Sequence, residues 1–306
     1  MSIDEICQLV KQIEAAGFEK VVVTGGEPLV HPQREVLLDL MADLRRANKK
    51  SKIVLRTNLA LSLPTETMPL ISRCADQIVV SVDGDETSHN TRRGSGAYKL
   101  TLVNLRILLA AQPSAEVILA ATLQTDQING LQGDAVRILG KELGTKVRFK
   151  PILPLGRAAK MPLALEFDSS LFDSVDALAN SRGPVTTCGL GMNLYVEPNG
   201  DCFPCYALIK ESHYLGNIFK NGIETVLTKN SAFRQISVDT NRQCRSCSLR
   251  YLCGGFCRAW CSDADPNSPP RDCTSLQIRA GKLLYGALEA LEISSKQWLA
   301  VGLPLQ

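Results

Sequence analysis

The chain has 306 residues, of which 45% are hydrophobic and 21% are charged, a balance that excludes a wholly disordered protein. The 34 basic and 31 acidic residues leave a net charge of +3, without the dense basic patch of a nucleic-acid-binding protein. We find no run of about 18 uncharged apolar residues and therefore predict no membrane span. The first residues lack the basic and then apolar order of a signal peptide, so we expect a cytoplasmic protein.

Apolar residues at helical spacing predict a first helix over residues 3–16, which ends at Gly17. Beyond it, β-branched apolar runs alternate with helical patterns. Strands are predicted at 21–24, 52–57, 77–82, 116–123 and 146–151, with helices near 33–48, 64–74, 98–111 and 131–143. This alternation predicts an α/β fold of parallel strands with right-handed crossovers, in a barrel or an open sheet.

Polar or glycine-rich segments follow the predicted strands: TGGEP, TNL, SVDGD, LQT and PLGRA. In parallel α/β sheets, ligands bind at the carboxyl ends of the strands. We therefore expect the active face of the protein at these five segments.

From about Pro154 the alternation stops, and a helix near 168–180 is predicted before a cysteine-rich region. There, apolar residues alternate around Pro198-Asn199-Gly200, which predicts a hairpin. A last helix near 274–293 is expected to pack on the barrel. The predicted segments are a partial barrel (1–160), a linker or helix (161–187), a cysteine-rich domain (188–275) and a C-terminal helix (276–306).

The cysteines are the most informative residues of the chain. There are 11, and nine of them lie between Cys188 and Cys273. In a reducing compartment such clustering favours metal binding over disulfides. The spacing from Cys244 is C-x2-C-x5-C-x3-C, which suits thiolate ligation of iron–sulfur clusters or of zinc. A structural zinc ribbon would explain four cysteines and leave five without a role.

Three features together resemble one enzyme family: Gly25-Gly26-Glu27-Pro28, the strand end Ser81-Val82-Asp83-Gly84 and the cysteine spacing. The chain resembles the radical S-adenosylmethionine (SAM) enzymes with a SPASM domain, which include peptide maturases and anaerobic sulfatase-maturating enzymes. The resemblance covers nearly the whole chain, including CGGFCRA at 253–259. It implies a TIM-like (β/α)6 barrel, of which the five predicted strands are all but the first, and a small SPASM domain with a hairpin.

The resemblance implies two auxiliary 4Fe–4S clusters. The first would be held by Cys188, Cys205 and Cys257, and the second by Cys244, Cys247, Cys253 and Cys273. The first cluster often takes a fourth cysteine shortly before the motif, where this chain has Arg182 and Gly183. Either Cys202 supplies that ligand or one iron stays open to substrate.

The resemblance also implies a SAM site at the strand ends. Gly25, Gly26 and Glu27 would hold the amino group of SAM, because glycines allow close approach to backbone carbonyls and the carboxylate can accept from an ammonium. Ser81 and Asp83 would bind the ribose and carboxylate region, and Arg93 would pair with the SAM carboxylate. Gln124 and Leu155 would touch ribose and adenine. No residue is assigned a catalytic role.

The family's C-x3-C-x2-C motif, which binds the SAM-chelating 4Fe–4S cluster, has no match in this chain. Only Cys7 precedes Gly25, within 24 residues. Because the first barrel strand is missing too, we expect an N-terminally truncated or misassigned start, and a polypeptide that as written does not cleave SAM. The alternative is a decayed paralogue that keeps its auxiliary clusters for electron transfer or binding.

With the missing segment present, the resemblance implies an oxidoreductase that generates a 5′-deoxyadenosyl radical. Its cofactors would be SAM, the two auxiliary clusters and a third 4Fe–4S cluster. The expected substrate is a peptide or a peptide-like molecule, with a sugar or an antibiotic precursor as the alternative. A flavodoxin- or ferredoxin-type protein is the expected electron donor, and no nucleic acid or membrane is expected as a partner.

Overall fold

The computed structural model describes residues 1–47, 51–64, 66–152, 158, 186–248 and 250–255. The chain divides into two compact units. The first consists of Met1–Ile152, Val196–Asp201 and Gly216–Val226, and the second of Leu153–Tyr195, Cys202–Leu215 and Leu227–Gln306. Among the described residues, no helix has both the length and the apolar character needed to cross a membrane.

Within the described part of the first unit, five parallel strands form a sheet in chain order. They are β1 (Lys20–Val23), β2 (Lys52–Thr57), β3 (Gln77–Ser81), β4 (Glu116–Leu123) and β5 (Lys146–Pro151). Each strand pairs with the next, so every crossover connects neighbouring strands. The predicted parallel α/β sheet of a partial barrel is confirmed, and the strand bounds differ from the prediction by at most one residue.

Seven helices in the described part of this unit precede or connect the strands. They are α1 (Ile3–Ala16), α2 (Arg34–Ala47), α3 (Thr67–Arg73), α4 (Glu86–Arg93), α5 (Ala97–Ala110), α6 (Thr125–Ile128) and α7 (Leu131–Glu142). Helix α1 begins at a capping box between Ser2 and Glu5 and ends at Gly17, whose φ of 68° is left-handed. The sequence did not predict α4, because its segment ETSHNTRR buries a single residue, His89, and has no apolar period.

The sheet has an apolar and a polar face. On the apolar face, Ile53, Leu55 and Leu119 are fully buried in one cluster with side chains of the helices. Burying one such side chain contributes about 1.5–3 kcal/mol. The intervening positions form the second face, here called the polar face, which carries ten polar side chains and five apolar ones. The polar residues are Lys20, Lys52, Arg56, Gln77, Ser81, Glu116, Thr122, Lys146, Arg148 and Lys150, and the apolar residues are Val22, Val54, Val79, Ile118 and Ala120. Val54 and Ile118 are buried, so the polar face is covered at its centre.

Three short strands of the described chain form a second sheet, in the order β6 (Tyr195–Val196), β7 (Asp201–Phe203) and β8 (Gly216–Asn217). The predicted hairpin joins β6 to β7, with the Glu197 amide donating to the Asp201 carbonyl at 2.8 Å. Gly200 turns the chain with a φ of 87°, and a Cβ there would lie 2.4 Å from the Phe219 ring. Both the backbone conformation and the space therefore require glycine at this turn.

The remaining described helical segments are short. They are α-helical at Ile218–Asn221, Ile223–Ser231 and Arg250–Cys253, and 3-10 helical at Pro28–Val30, Glu211–His213, Ala232–Gln235 and Cys244–Ser246. The helices predicted near 168–180 and 274–293 lie outside the described residues. The limits of the four predicted segments remain predictions.

Candidate active site

Glu27 fixes the loop that follows β1. Its Oε1 accepts from the Thr57 hydroxyl at 2.7 Å, and its Oε2 accepts from the Asn58 amide at 2.6 Å. The Leu29 amide also donates to Oε1, at 3.2 Å, which caps the helical turn at Pro28–Val30. The carboxylate thus ties this loop to the end of β2, two contacts that the sequence alone did not reveal. Its predicted contact with SAM remains a prediction.

The glycine pair before Glu27 faces open space. Gly25 has a φ of 140°, which L side chains rarely adopt, and a Cβ built at Gly25 or Gly26 would meet no atom within 4 Å. Both residues are exposed. The turn has no side chain beside this open space, and Glu27 fixes its position. Such a turn leaves room for the amino-acid end of SAM.

Substituting Glu27 tests whether it holds this loop. We expect Glu27→Gln to lower the free energy of unfolding by about 1–3 kcal/mol, because the amide NH₂ would face a donor of the loop that the carboxylate now accepts from. Urea unfolding of the variant measures the change. The matched control is Glu14→Gln on the exposed side of α1, which should leave the unfolding midpoint unchanged. Equal midpoints for both variants would contradict the assignment.

Asp83 lies just after β3 and is 3% exposed. Its Oδ2 accepts from Nε of Arg93 at 2.8 Å and lies 2.7 Å from Nη2, while Oδ1 accepts from the Thr122 amide at 2.9 Å. The sequence assigned Asp83 and Arg93 to SAM separately, and the structure pairs them with each other. The pair links the end of β3 to α4 and to β4.

His89 packs beneath this ion pair. Its Nδ1 accepts from the Asp83 amide at 3.2 Å, which places the ring proton on Nε2, and Nε2 is buried with no hydrogen-bond partner among the described residues. The Tyr98 ring contacts the imidazole edge-on at 5.6 Å. Burial, and to a smaller extent the Arg93 charge, lower the pKa of His89 against the opposing effect of Asp83, to about 4. The imidazole is therefore neutral at pH 7.

The depressed pKa of His89 predicts a pH-dependent stability. Because the folded pKa lies below the ordinary value of 6.5, the unfolded chain takes up the proton first, and stability falls as pH drops from 6.5 towards 4. Between pH 7.5 and 5.5 we expect a loss of about 1 kcal/mol from this residue. Urea unfolding of the wild type and of His89→Asn at both pH values measures it, because asparagine keeps an acceptor for the Asp83 amide and does not titrate. Identical pH dependence in both proteins would refute the prediction.

Arg92 holds the end of β4. It donates to the Thr122 carbonyl and, through Nη2, to Oε1 of Gln127 at 2.6 Å. The same Gln127 oxygen accepts from the amide of Gln124, a predicted SAM contact, at 3.1 Å. The sequence analysis selected Arg93 and not the neighbouring Arg92, although the two arginines stand side by side in the sequence.

The described part of the chain places the predicted SAM residues at two positions along the sheet. Gly25, Gly26 and Glu27 follow β1, and Glu27 contacts the end of β2. Ser81 and Asp83 lie at the end of β3, Gln124 follows β4, and Arg93 on α4 pairs with Asp83. Leu155 lies outside the described residues. The strand ends therefore carry the glycine turn and the ion pair, and the roles of these residues towards SAM stay predictions.

Two cysteines predicted to share a cluster, Cys188 and Cys205, influence each other electrostatically. Burial raises the pKa of Cys205, and the nearby Cys188 raises it further, while a hydrogen bond from the Ala207 amide to Sγ at 3.4 Å opposes both. An amide donating to a sulfur is a contact that tunes thiolate ligands of iron–sulfur clusters. The pair fits two of the three ligands expected for the first cluster. The third, Cys257, lies outside the described residues.

The turn at Cys244–Ser246 brings the next two cysteines onto one tight bend. The Cys247 amide donates to the Cys244 carbonyl at 2.8 Å, and Oδ1 of Asn241 accepts from the Cys244 amide at 3.1 Å. Cys253 ends the helix Arg250–Cys253, and Cys273 lies outside the described residues. Among the described residues, no three His, Cys, Asp or Glu side chains converge on one point. The set of ligands for the second cluster therefore remains a prediction.

Cys202 is fully buried on β7, and its carbonyl accepts from the Leu215 amide at 2.9 Å. Its predicted role as a fourth ligand stays open. Cys74 is also fully buried, its Sγ lies 3.3 Å from the Ile71 carbonyl, and burial raises its pKa to about 12. Cys74 is thus a residue of the apolar core.

The fold and these residues define a parallel α/β sheet with a candidate ligand site at its strand ends, joined to a cysteine-rich domain. The family model of the radical SAM superfamily matches residues 1–126, and that of the SPASM iron–sulfur cluster-binding domain matches residues 188–248. The chain thus carries a radical SAM domain followed by a SPASM domain. Its cofactors are accordingly SAM and iron–sulfur clusters.

Comparisons with individual proteins agree with this assignment. The chain is 23% identical over 246 residues to the antilisterial bacteriocin subtilosin biosynthesis protein AlbA of Bacillus subtilis, covering 74% of this chain and 52% of that protein. It is 26% identical over 163 residues to the GTP 3′,8-cyclase of Clostridium perfringens, covering 52% and 48%. The chain thus spans about half the length of these curated relatives.

A solved structure supports the fold. The structure described as native anSMEcpe with bound AdoMet and Kp18Cys peptide aligns with a TM-score of 0.70 and 20% identity. The alignment covers 94% of this chain and 91% of that chain. The predicted partial radical SAM barrel with a smaller second sheet is therefore the fold of this protein.

Proposed function

We propose that the protein, when an N-terminal segment supplies the C-x3-C-x2-C cysteines, is a radical SAM oxidoreductase that modifies a peptide. The observation that carries this proposal is the SPASM match at residues 188–248 behind a radical SAM match at 1–126. A relative takes part in the biosynthesis of the bacteriocin subtilosin, and a structure of the same fold holds AdoMet together with a peptide. A flavodoxin- or ferredoxin-type electron donor and a cytoplasmic location complete the proposal.

When bound, SAM and a reduced 4Fe–4S cluster supply the radical that removes a hydrogen atom from the substrate. The chain's own residues position and shield this chemistry. The backbone carbonyls of the exposed Gly25-Gly26 turn would accept hydrogen bonds from the ammonium of SAM, while Glu27 holds the turn in place. Arg93 keeps part of its guanidinium accessible, since its side chain is 26% exposed, and can face the SAM carboxylate while paired with Asp83.

In this proposal the SPASM cysteines hold two auxiliary clusters. The charge of Cys188 acts on Cys205, which fits two ligands of one cluster, and Cys244 and Cys247 share one turn. The clusters held by these thiolates would accept the electron that the product gives up or would bind the substrate. Such a route suits a reaction that removes two hydrogen atoms from a peptide.

Metal analysis and turnover together test the proposal. Protein purified without oxygen should contain about eight irons for two auxiliary clusters, with matching sulfide. With SAM, dithionite and candidate peptides, we expect this chain to form no 5′-deoxyadenosine, because it lacks the cysteines of the SAM-chelating cluster. The same chain extended by an N-terminal segment with C-x3-C-x2-C should form 5′-deoxyadenosine and a peptide lighter by two hydrogen atoms, both measured by mass spectrometry. Zinc without sulfide would overturn the iron–sulfur assignment. Intact clusters in the extended protein, without deoxyadenosine under any reductant, would favour the non-catalytic alternative.

A further inference from the structure

The polar face of the sheet carries an excess of positive charge. Lysine or arginine occupies six of its positions, on β1, β2 and β5, and Glu116 is the acidic residue among them. The strand register shows that these side chains share one face. Arg56 pairs with Val79, Val79 with Ile118, and Ile118 with Lys146, and the series continues at alternate residues to Arg148 and Lys150.

Two of the six cations have an acidic partner. Nζ of Lys146 lies 2.8 Å from Glu116 and that of Lys52 lies 3.9 Å from it, and the Gln77 amide also donates to this carboxylate. The other four cations are Lys20, Arg56, Arg148 and Lys150. Within the described part of the chain, none of these four side chains makes an ion pair or a hydrogen bond.

The four unpaired cations also interact across the sheet. On a flat sheet, β1 and β5 would lie roughly 19 Å apart at 4.8 Å per strand. Desolvation and, to a smaller extent, the charges of Arg56, Lys20 and Arg148 together lower the pKa of Lys150 to about 8. A sheet curved as in a barrel brings β1 and β5 closer than this flat distance. Lys150 keeps part of its surface exposed.

Like charges held together raise the free energy of the folded protein, and an anion bound between them lowers it. The structure therefore predicts an occupant with negative charge. From the row of Lys20 to that of Lys150, the register spans eight residues, or roughly 26 Å along the strands. This spread suits several carboxylates along an extended chain better than one compact phosphate group, and both arginines can bind carboxylates in a bidentate manner.

We propose that the polar face binds an acidic segment of the substrate, with aspartate or glutamate side chains against Arg56, Arg148, Lys150 and Lys20. The proposal rests on the proposed function in that the occupant is a peptide. It adds the charge of the substrate, which the family assignment does not specify. The substrates of this protein should carry acidic residues close to the modified position.

The test is a binding measurement on the full chain, purified with its clusters. The probes are a fluorescent peptide of alternating glutamate and glycine, the same peptide with glutamine for glutamate, and inorganic triphosphate. The double variant Arg148→Gln/Lys150→Gln removes two charges of the face. The matched control, Lys99→Gln/Lys141→Gln, removes two exposed charges on α5 and α7.

We expect the glutamate peptide to bind at least about tenfold more tightly than the glutamine peptide, and more weakly as salt is raised. The double variant should lose about tenfold in affinity for the glutamate peptide, and the control less than about twofold. Arg148→Lys/Lys150→Arg, which keeps both charges, should retain binding. Iron content and melting temperature confirm that each variant is folded.

Equal binding of the two peptides, or equal losses in the double variant and the control, would overturn the proposal. So would triphosphate that binds more tightly than the peptide through the same residues, since the occupant would then be a phosphorylated small molecule. Binding requires neither a reductant nor SAM cleavage. A failure of the proposed enzymatic function therefore shows as deoxyadenosine missing from the extended protein with binding intact, and a failure of this inference shows as missing binding.

Discussion

Replacing Asp83 with alanine is expected to destabilise the folded protein by about 3 kcal/mol. The substitution leaves the guanidinium of Arg93, 26% exposed, without its partner and removes the acceptor of the Thr122 amide. Breaking a buried ion pair from one side costs about 3–5 kcal/mol, and partial exposure of the arginine places the effect at the lower end of this range. The urea midpoint of the anaerobically purified protein measures the loss.

An exposed ion pair provides the matched control for Asp83→Ala. Asp39 and Arg73 lie 2.8 Å apart, and both side chains are more than half exposed. We expect Asp39→Ala to cost less than about 1 kcal/mol, because water screens this pair. A double-mutant cycle with Arg93→Ala then isolates the coupling between Asp83 and Arg93. If Asp83→Ala cost no more than Asp39→Ala, the pair would not hold the strand ends together.

Replacing Cys205 with serine is expected to remove one auxiliary cluster and leave the other. Iron should fall from about eight to about four atoms per chain, with a proportional loss of absorbance near 400 nm. The expectation follows from the proximity of Cys205 to Cys188 and from the amide hydrogen bond to its sulfur. Metal and sulfide analysis of freshly purified protein measures the outcome.

Cys7→Ala controls for the removal of a thiol as such. Cys7 is half-buried in α1 and belongs to neither predicted ligand set, so this variant should keep all of its iron. Cys202→Ala, measured beside it, decides whether the buried thiol on β7 is the fourth ligand. An unchanged iron content in Cys205→Ser would remove this cysteine from the ligand set.

The strands could be predicted from sequence because each is a β-branched run with one face in the core. Ile53 and Leu55 in KIVLRT, for example, are both fully buried. The cationic side chains of the polar face were not predicted from the same segments, because residues such as Lys52 and Arg56 are also common at solvent-exposed positions of a strand. Whether such residues face one another depends on the curvature of the sheet, which periodicity does not encode.

The residues of the candidate site were found in part, because motifs identify positions and not contacts. Asp83 and Arg93 were both chosen, but their mutual pairing depends on how α4 folds back after β3. Helix α4 was not predicted, because it buries only His89 and its sequence therefore has no apolar residues at helical spacing. For Glu27, the partners Thr57 and Asn58 lie some thirty residues away, and only the parallel pairing of β1 with β2 brings them together.

The Thr122 amide can report on the strand ends in the unmodified protein, without any substitution. Its proton is held by the Asp83 side chain, whereas the neighbouring ladder bond runs from the Val82 amide to the Ala120 carbonyl. Hydrogen–deuterium exchange at Thr122 therefore reports how often the Asp83–Arg93 pair opens, separately from fraying of the sheet. A small molecule that draws Arg93 towards itself would change that single exchange rate while leaving the rates of the core strands unaltered.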